Sequence, residues 1–216
     1  MTPQATIEAG ERPINVAVGC EFSGTVRDAF IARGHHAVSY DLIATEKPGP
    51  HVVGNLLEQD LSWADLLIVH PPCTRLCNSG VRWLRERNLW AEMREAAEFF
   101  KACLALGDKF GIPVAAENQV MHGHARRIVG RRQTQTFQPW QFGDNFKKRT
   151  CLWLQGLPKL VPTSDLDGST AKAECHEESP GPDRWMRRSR TYPGIANAMV
   201  HQWSAAILAR RNAHAA

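Results

Sequence analysis

Three short stretches hold residue types that could do chemistry. In "DLLIVHPPCT" the apolar run Leu66–Val69 stops at two prolines and a cysteine, Cys73. Two prolines remove two amide donors and restrict the chain, which suits a thiol held still for nucleophilic attack; a cysteine that only fills core space needs no such turn. Cys77 follows, but no second Cys/His pair stands at zinc spacing, because Cys175-His176 is isolated, so no metal is expected. In "IPVAAEN" an apolar run ends on Glu117 and Asn118. A carboxyl there is costly to bury unless something binds it, and it can work as an acid or a hydrogen-bond partner. The plainer alternative is a glutamate that caps the next helix. The third stretch, "VAVGCEFSG", is followed by Asp41 about twenty residues on, the layout of a nucleoside-cofactor site. Glycine there lets backbone approach the ligand and the carboxylate accepts from ribose hydroxyls. Neither G-x-G-x-x-G nor a P-loop is present, which disfavours a dinucleotide or a triphosphate.

These residues need elements to position them. "INVAVG", "HAVSYDL", the "HVVGN" region, Leu66–Val69, "IPVAAEN" and "TCLWL" read as strands, the last as the sixth. "TVRDAFIARG" reads as a helix stopped by Gly34. Leu89, Trp90, Met93, Ala97, Phe100, Cys103 and Leu104 recur at helical spacing between Leu84 and Phe110, and Ile195 to Arg211 forms a closing helix. Strands alternating with helices predict an α/β fold with an open, mainly parallel, Rossmann-like sheet. Ligands in such sheets bind beyond the carboxyl ends of the strands. Gly19-Cys20-Glu21, Asp41, Pro71-Pro72-Cys73 and Glu117-Asn118 all fall at such ends, which predicts one shared site. Val161 to Trp185, rich in Ser, Thr, Pro, Gly and Asp, reads as a loop. The expected organisation is a flexible lead-in over 1–13, a catalytic core over 14–160, a short loop or minimal recognition segment over 161–190, and a helix over 191–216 that completes the core.

The 216 residues, 43% hydrophobic and 22% charged, suit one domain with a full core. No apolar run approaches the ~20 residues that span a bilayer. The first residues lack a basic region followed by an apolar one, so a cytoplasmic protein with reduced cysteines is expected. The net charge of +4 is unevenly spread: residues 1–120 carry 11 basic and 15 acidic side chains, residues 121–216 carry 15 and 7. Arg126–Arg127, Arg131–Arg132, Lys147–Lys148–Arg149 and Arg187–Arg188 with Arg190 fill the second part, as a polyanion partner would require.

In their order, these motifs resemble those of the DNA cytosine-5 methyltransferases. "CEFSG" is similar to the first, cofactor-binding motif; "DLLIVHPPCT" to the Pro-Cys catalytic motif; "AAEN" to the Glu-Asn motif; "KKRTCLWL" to a basic motif entering a later strand; "GIANAMV" to the closing motif. The resemblance spans Cys20 to Val200 and looks like the compact members carried by phages and prophages, which implies the cytoplasm of a bacterium or an infected host. It implies S-adenosylmethionine as cofactor, held by Phe22, Ser23, Gly24, Asp41, Leu42, Asn55, Pro71 and Asn197. It implies Cys73 as the nucleophile at carbon 6, Glu117 at nitrogen 3 and the exocyclic amine, and Arg149, or Lys148 beside it, at oxygen 2. Double-stranded DNA would be the partner, with the cytosine flipped out to reach the thiol. Arg75, Arg126, Arg127, Arg131, Arg132, Arg187, Arg188 and Arg190 would bind it, and a monomer is the expected state.

Departures from the family pattern carry their own expectations. Val26-Arg27 replace a glycine pair, implying a differently shaped cofactor turn, and Ala196 precedes Asn197 instead of glycine. Only Leu160 to Thr191 is available for target recognition, which implies a short or relaxed target site, or one set by a partner. Two other readings compete: the same chemistry on a free pyrimidine nucleotide, and a non-catalytic DNA-binding or decoy protein. Retention of Cys73 and Glu117 argues against the last.

Overall fold

Leu66, Leu67, Ile68 and Val69 have no exposed surface, and a strand buried on both faces needs a layer on each side of its sheet. In the computed structural model, which describes residues 12–173, 178–179 and 181–215, this segment is the central strand of a seven-stranded sheet. The strands are β1 (Asn15–Gly19), β2 (His36–Asp41), β3 (His51–Val53), β4 (Leu66–Val69), β5 (Val114–Gln119), β6 (Gln135–Phe137) and β7 (Thr150–Gln155), in spatial order β3-β2-β1-β4-β5-β7-β6. β1 to β5 pair in parallel, and β7 runs antiparallel to both neighbours. The open, mainly parallel α/β sheet expected from the sequence is thus the observed one. Most of the 1–13 lead-in, and Cys175-His176, lie outside the described residues.

The helices are α1 (Thr25–Ala32), α2 (Val81–Glu86), α3 (Trp90–Phe110), α4 (Gly123–Val129), α5 (Arg184–Ser189) and α6 (Pro193–Ala215). Side chains alternate across the strands. Ala17, Leu67, Val69, Val114, Ala116 and Trp153 share a core with residues of α2, α3 and α4. Val16, Val18, Leu66, Ile68, Ala115 and Leu152 share the other with α1 and α6. In α3 the buried stripe Met93, Ala97, Phe100, Cys103, Leu104 and Gly107 follows the helical period. A Cβ on Gly107 would lie 2.6 Å from Val114 Cγ2, so the glycine lets α3 settle against β5.

Some expectations change. The helical stretch between Leu84 and Phe110 is two helices, broken near Asn88 at φ 50. "TCLWL" is the seventh strand because "QTF", too short and polar to stand out, forms β6. α4 and α5 were also illegible: "GHARRIV" and "RWMRRS" carry adjacent arginines and little apolar period. α5 lies partly within the interval read as loop.

Candidate active site

The Pro-Pro-Cys turn is built from backbone bonds. His70 N–H donates to Gly19 O at 2.9 Å, and Pro71 and Pro72 then have no N–H to continue the ladder. Asn118 Nδ2 donates to Pro71 O at 2.9 Å, tying the end of β4 to that of β5. Cys73 O accepts from the N–H of Leu76 (2.9 Å) and Cys77 (3.1 Å). Asn78 N–H to Val120 O and His122 N–H to Leu76 O, both 2.9 Å, pin the following loop to the chain after β5. Cys73 therefore sits on a backbone with little freedom.

It faces a cavity of about 70 Å³ lined also by His70, Glu117 and Lys148. Glu117 does not cap the next helix; His122 does, accepting from Ala125 N–H at 3.1 Å. The Glu117 side chain is 14% exposed and its Oε2 lies 3.2 Å from His70 Nδ1. Burial pushes this carboxyl up, but the His70 hydrogen bond and the Lys148 ammonium outweigh it, leaving the group below its usual range. Lys148 is buried, and its Nζ donates to Arg188 O (2.9 Å) and Arg190 O (3.5 Å). Arg149 is exposed and lines neither this cavity nor the larger one. Of the two cations offered by the sequence, Lys148 is the one at the site.

Cys73 and Cys77, four residues apart on one turn, influence each other electrostatically. The neighbouring Cys77, burial and the negative charge of Glu117 push the Cys73 thiol up, while Lys148 pulls it down. Cys77, beside Cys73 and supported by Ser79 and the Gly80 N–H, falls to about 5.

A larger cavity, about 590 Å³, opens next to the first and shares Cys20, Phe22, His70, Pro72, Cys73, Gln119, Arg188 and Ser189 with it. Asp41, Leu42 and Asn55 line it. Burial raises the Asp41 carboxyl, and its Oδ1 accepts from Ile43 N–H at 3.3 Å. Hydroxyl donors from a ribose would relieve that burial, so the residues fit an adenosyl cofactor. Asn55 spends its side chain locally, accepting from Leu57 N–H at 3.1 Å and donating to Glu58 at 2.9 Å. Ser23 and Pro71 line the small cavity instead. Gly24 and Asn197 line neither: Gly24, at φ 69, is the N-cap of α1, and Asn197 is exposed on α6. Gly19 packs closely against Leu56, whose Cδ2 would lie 2.3 Å from an added Cβ.

Two buried charges explain the missing glycine pair. Glu21 accepts from Val26 N–H (2.5 Å) and Arg27 N–H (3.2 Å) at the start of α1. Arg27, fully buried, donates to Ser39, Thr45 and the carbonyls of Lys47 and Pro48, holding the loop after β2. Glu21 was read from sequence only as part of a strand end and Arg27 only as a departure from the family pattern; His70 was not singled out. A titratable residue right after an apolar strand was the available signal for His70.

The arginines expected on DNA are dispersed. Arg75 pairs with Glu92 (2.7 Å), Arg187 with Glu178 (2.7 Å) and Arg190 with Glu46 (2.6 Å). Arg127 bonds His124 at 2.9 Å, and it and Arg126 lie on α4 outside both cavities. β6 runs in the direction of β5, so Arg131 and Arg132, just before it, lie toward the amino ends of the parallel strands, away from the site. Arg188 alone lines both cavities, and its Nε is buried with no partner among the described residues. Arg75 lines the larger one.

No protein-family model matches the chain, and no curated protein matches it in sequence. Among solved structures, the methyltransferase EhMeth of Entamoeba histolytica is similar, with a TM-score of 0.42 and 13% identity over 79% of this chain and 61% of that one. The chain thus spans about three fifths of that protein's length. Among the described residues, no helix is long and apolar enough to cross a membrane, and no group of three His, Cys, Asp or Glu could hold a metal.

Proposed function

We propose that the chain methylates carbon 5 of cytosine in DNA, with S-adenosylmethionine as cofactor. One observation carries the reading: Cys73, Glu117 and Lys148 line a small cavity that adjoins the large one bearing Phe22, Asp41 and Leu42. Cytosine carbon 5 is a poor nucleophile until a thiolate adds to carbon 6. Cys73 loses its proton to water, the Lys148 ammonium favouring the thiolate, and Cys73 Sγ bonds carbon 6. Glu117, a carboxylate at rest, takes up a proton as the pyrimidine binds, gives it to nitrogen 3 and accepts from the exocyclic amine, while Lys148 sits toward oxygen 2; both stabilise charge as it develops. S-adenosylmethionine, when bound, supplies an electrophilic methyl group. Phe22, Leu42 and Asp41 would hold it, Asp41 on the ribose. Once carbon 5 is substituted, loss of its proton and breakage of the carbon 6–sulfur bond release Cys73.

A second reading, the same chemistry on a free pyrimidine nucleotide, is favoured by the ion pairing of Arg75, Arg187 and Arg190. Labelled methyl transfer to duplex DNA and to deoxycytidine nucleotides, each across a salt series, separates the two. For DNA, binding should weaken with a log–log salt slope of about −0.9 per phosphate contacted, and bisulfite mapping should show many methylated cytosines or a site of a few bases. Methylation of nucleotides alone would establish the second reading; transfer to neither would refute both.

A further inference from the structure

His70 takes no part in the steps above, yet it stands at their centre. Its side chain is 7% exposed, its Nδ1 lies 3.2 Å from Glu117 Oε2, and its ring forms part of the wall of both cavities. Its Nε2 is buried without a partner among the described residues. Around it stand Glu117 at the end of β5, Glu21 after β1, Cys73 on its own loop, Lys148 before β7, and Arg188 on α5. Burying an imidazole with one nitrogen unsatisfied costs free energy. The backbone does not require it, since the N–H bond to Gly19 O is available to any residue but proline. What the ring contributes is its bond to Glu117. A carboxylate only accepts, so Nδ1 bears the proton in that bond.

We propose that His70 is the positioning residue for Glu117: its Nδ1–H holds Oε2, turns Oε1 to the pyrimidine, and stabilises the carboxylate left when the Oε1 proton moves to nitrogen 3. The inference rests on the methyl-transfer reading. In proton terms, the Oε1–H bond breaks as the nitrogen 3–H bond forms, and the reverse occurs when Cys73 leaves. His70 keeps its Nδ1 proton throughout. Without that donor Glu117 would be free to rotate toward Lys148, and its charged form would lose its nearest support.

The test compares His70→Ala, which removes the donor, with His70→Asn, whose amide N–H can stand near the position of Nδ1; His70→Leu replaces the alanine variant should it not fold. Turnover on duplex DNA is measured from pH 5.5 to 9. The donor-less variant should lose about 10²-fold in kcat with KM for DNA nearly unchanged, and His70→Asn should recover most of it. Removing a donor that favours the carboxylate raises the pH at which Glu117, protonated in the pyrimidine complex, gives up its proton. The alkaline fall of kcat should therefore move up by about one pH unit in the donor-less variant and stay in place in His70→Asn. An equal loss at every pH, no recovery in His70→Asn, or no loss at all would overturn the proposal while leaving methyl transfer standing. An unaltered chain inactive on cytosine would instead refute the reaction and the proposal together.

Discussion

Cys73 and Cys77 sit on one turn, but only Cys73 lines the cavity that holds Glu117 and Lys148. Cys77 lines only the larger cavity. Cys73→Ala should therefore abolish methyl transfer with fold and cofactor binding intact, whereas Cys77→Ala should keep a measurable fraction of turnover. Equal abolition in both, read by methyl incorporation, would remove the distinction. Asp41 is argued on different grounds, a carboxyl raised by burial on a cavity wall. Asp41→Ala should weaken S-adenosylmethionine binding by about 1–3 kcal/mol, the cost of leaving polar groups unpaired. Unchanged affinity by calorimetry would place the ribose elsewhere.

At the scale of elements, α5 closes the site. Trp185 meets Phe22 at 5.7 Å between ring centroids, and Arg190, just after the helix, clasps Glu46 of the loop that Arg27 holds. The small cavity, about 70 Å³, has room for only a few waters, so the proposed pyrimidine would require its walls to move apart. Trp185→Ala should weaken cofactor binding by about 1 kcal/mol with little change in thermal stability, since the ring is 54% exposed; calorimetry and a melting curve check both parts. The strand ends were legible because apolar runs broke off at Glu, Asp, Asn and Pro-Pro. α5 was not, because its side chains show no buried stripe. Nor could sequence separate Lys148 from Arg149: β7 is buried on both faces over Thr150–Trp153, so no alternation marks which neighbour points inward. Asn197 illustrates the converse, a motif match that α6 turns toward solvent. His70 went unnoticed because a histidine gains meaning here only from Glu117, forty-seven residues away.

Across the whole molecule, stability and function draw on different buried groups. His35, after α1, accepts from Ile14 N–H at 3.4 Å, and burial, with Arg33, Arg211 and His36 adding to it, holds it down at about 4 against an ordinary 6.5. Between these values the unfolded chain binds a proton that the folded chain refuses, so stability present above 6.5 declines as pH falls toward 4. Urea unfolding at several pH values should show this decline, and His35→Gln should flatten it; an unchanged slope would assign acid sensitivity elsewhere. His35 lies at the opposite end of the sheet from Cys73, beside the start of β1, so this titration leaves the Cys73 cavity alone. The central claim is that Cys73 bonds carbon 6 of a cytosine, and trapping tests it most directly. DNA carrying 5-fluorocytosine, incubated with the chain and S-adenosylmethionine, should yield a covalent complex whose peptide mass places the nucleotide on Cys73, because fluorine cannot leave as the carbon 5 proton does. Absence of a complex while both ligands bind, or a complex on Cys77 instead, would contradict the account.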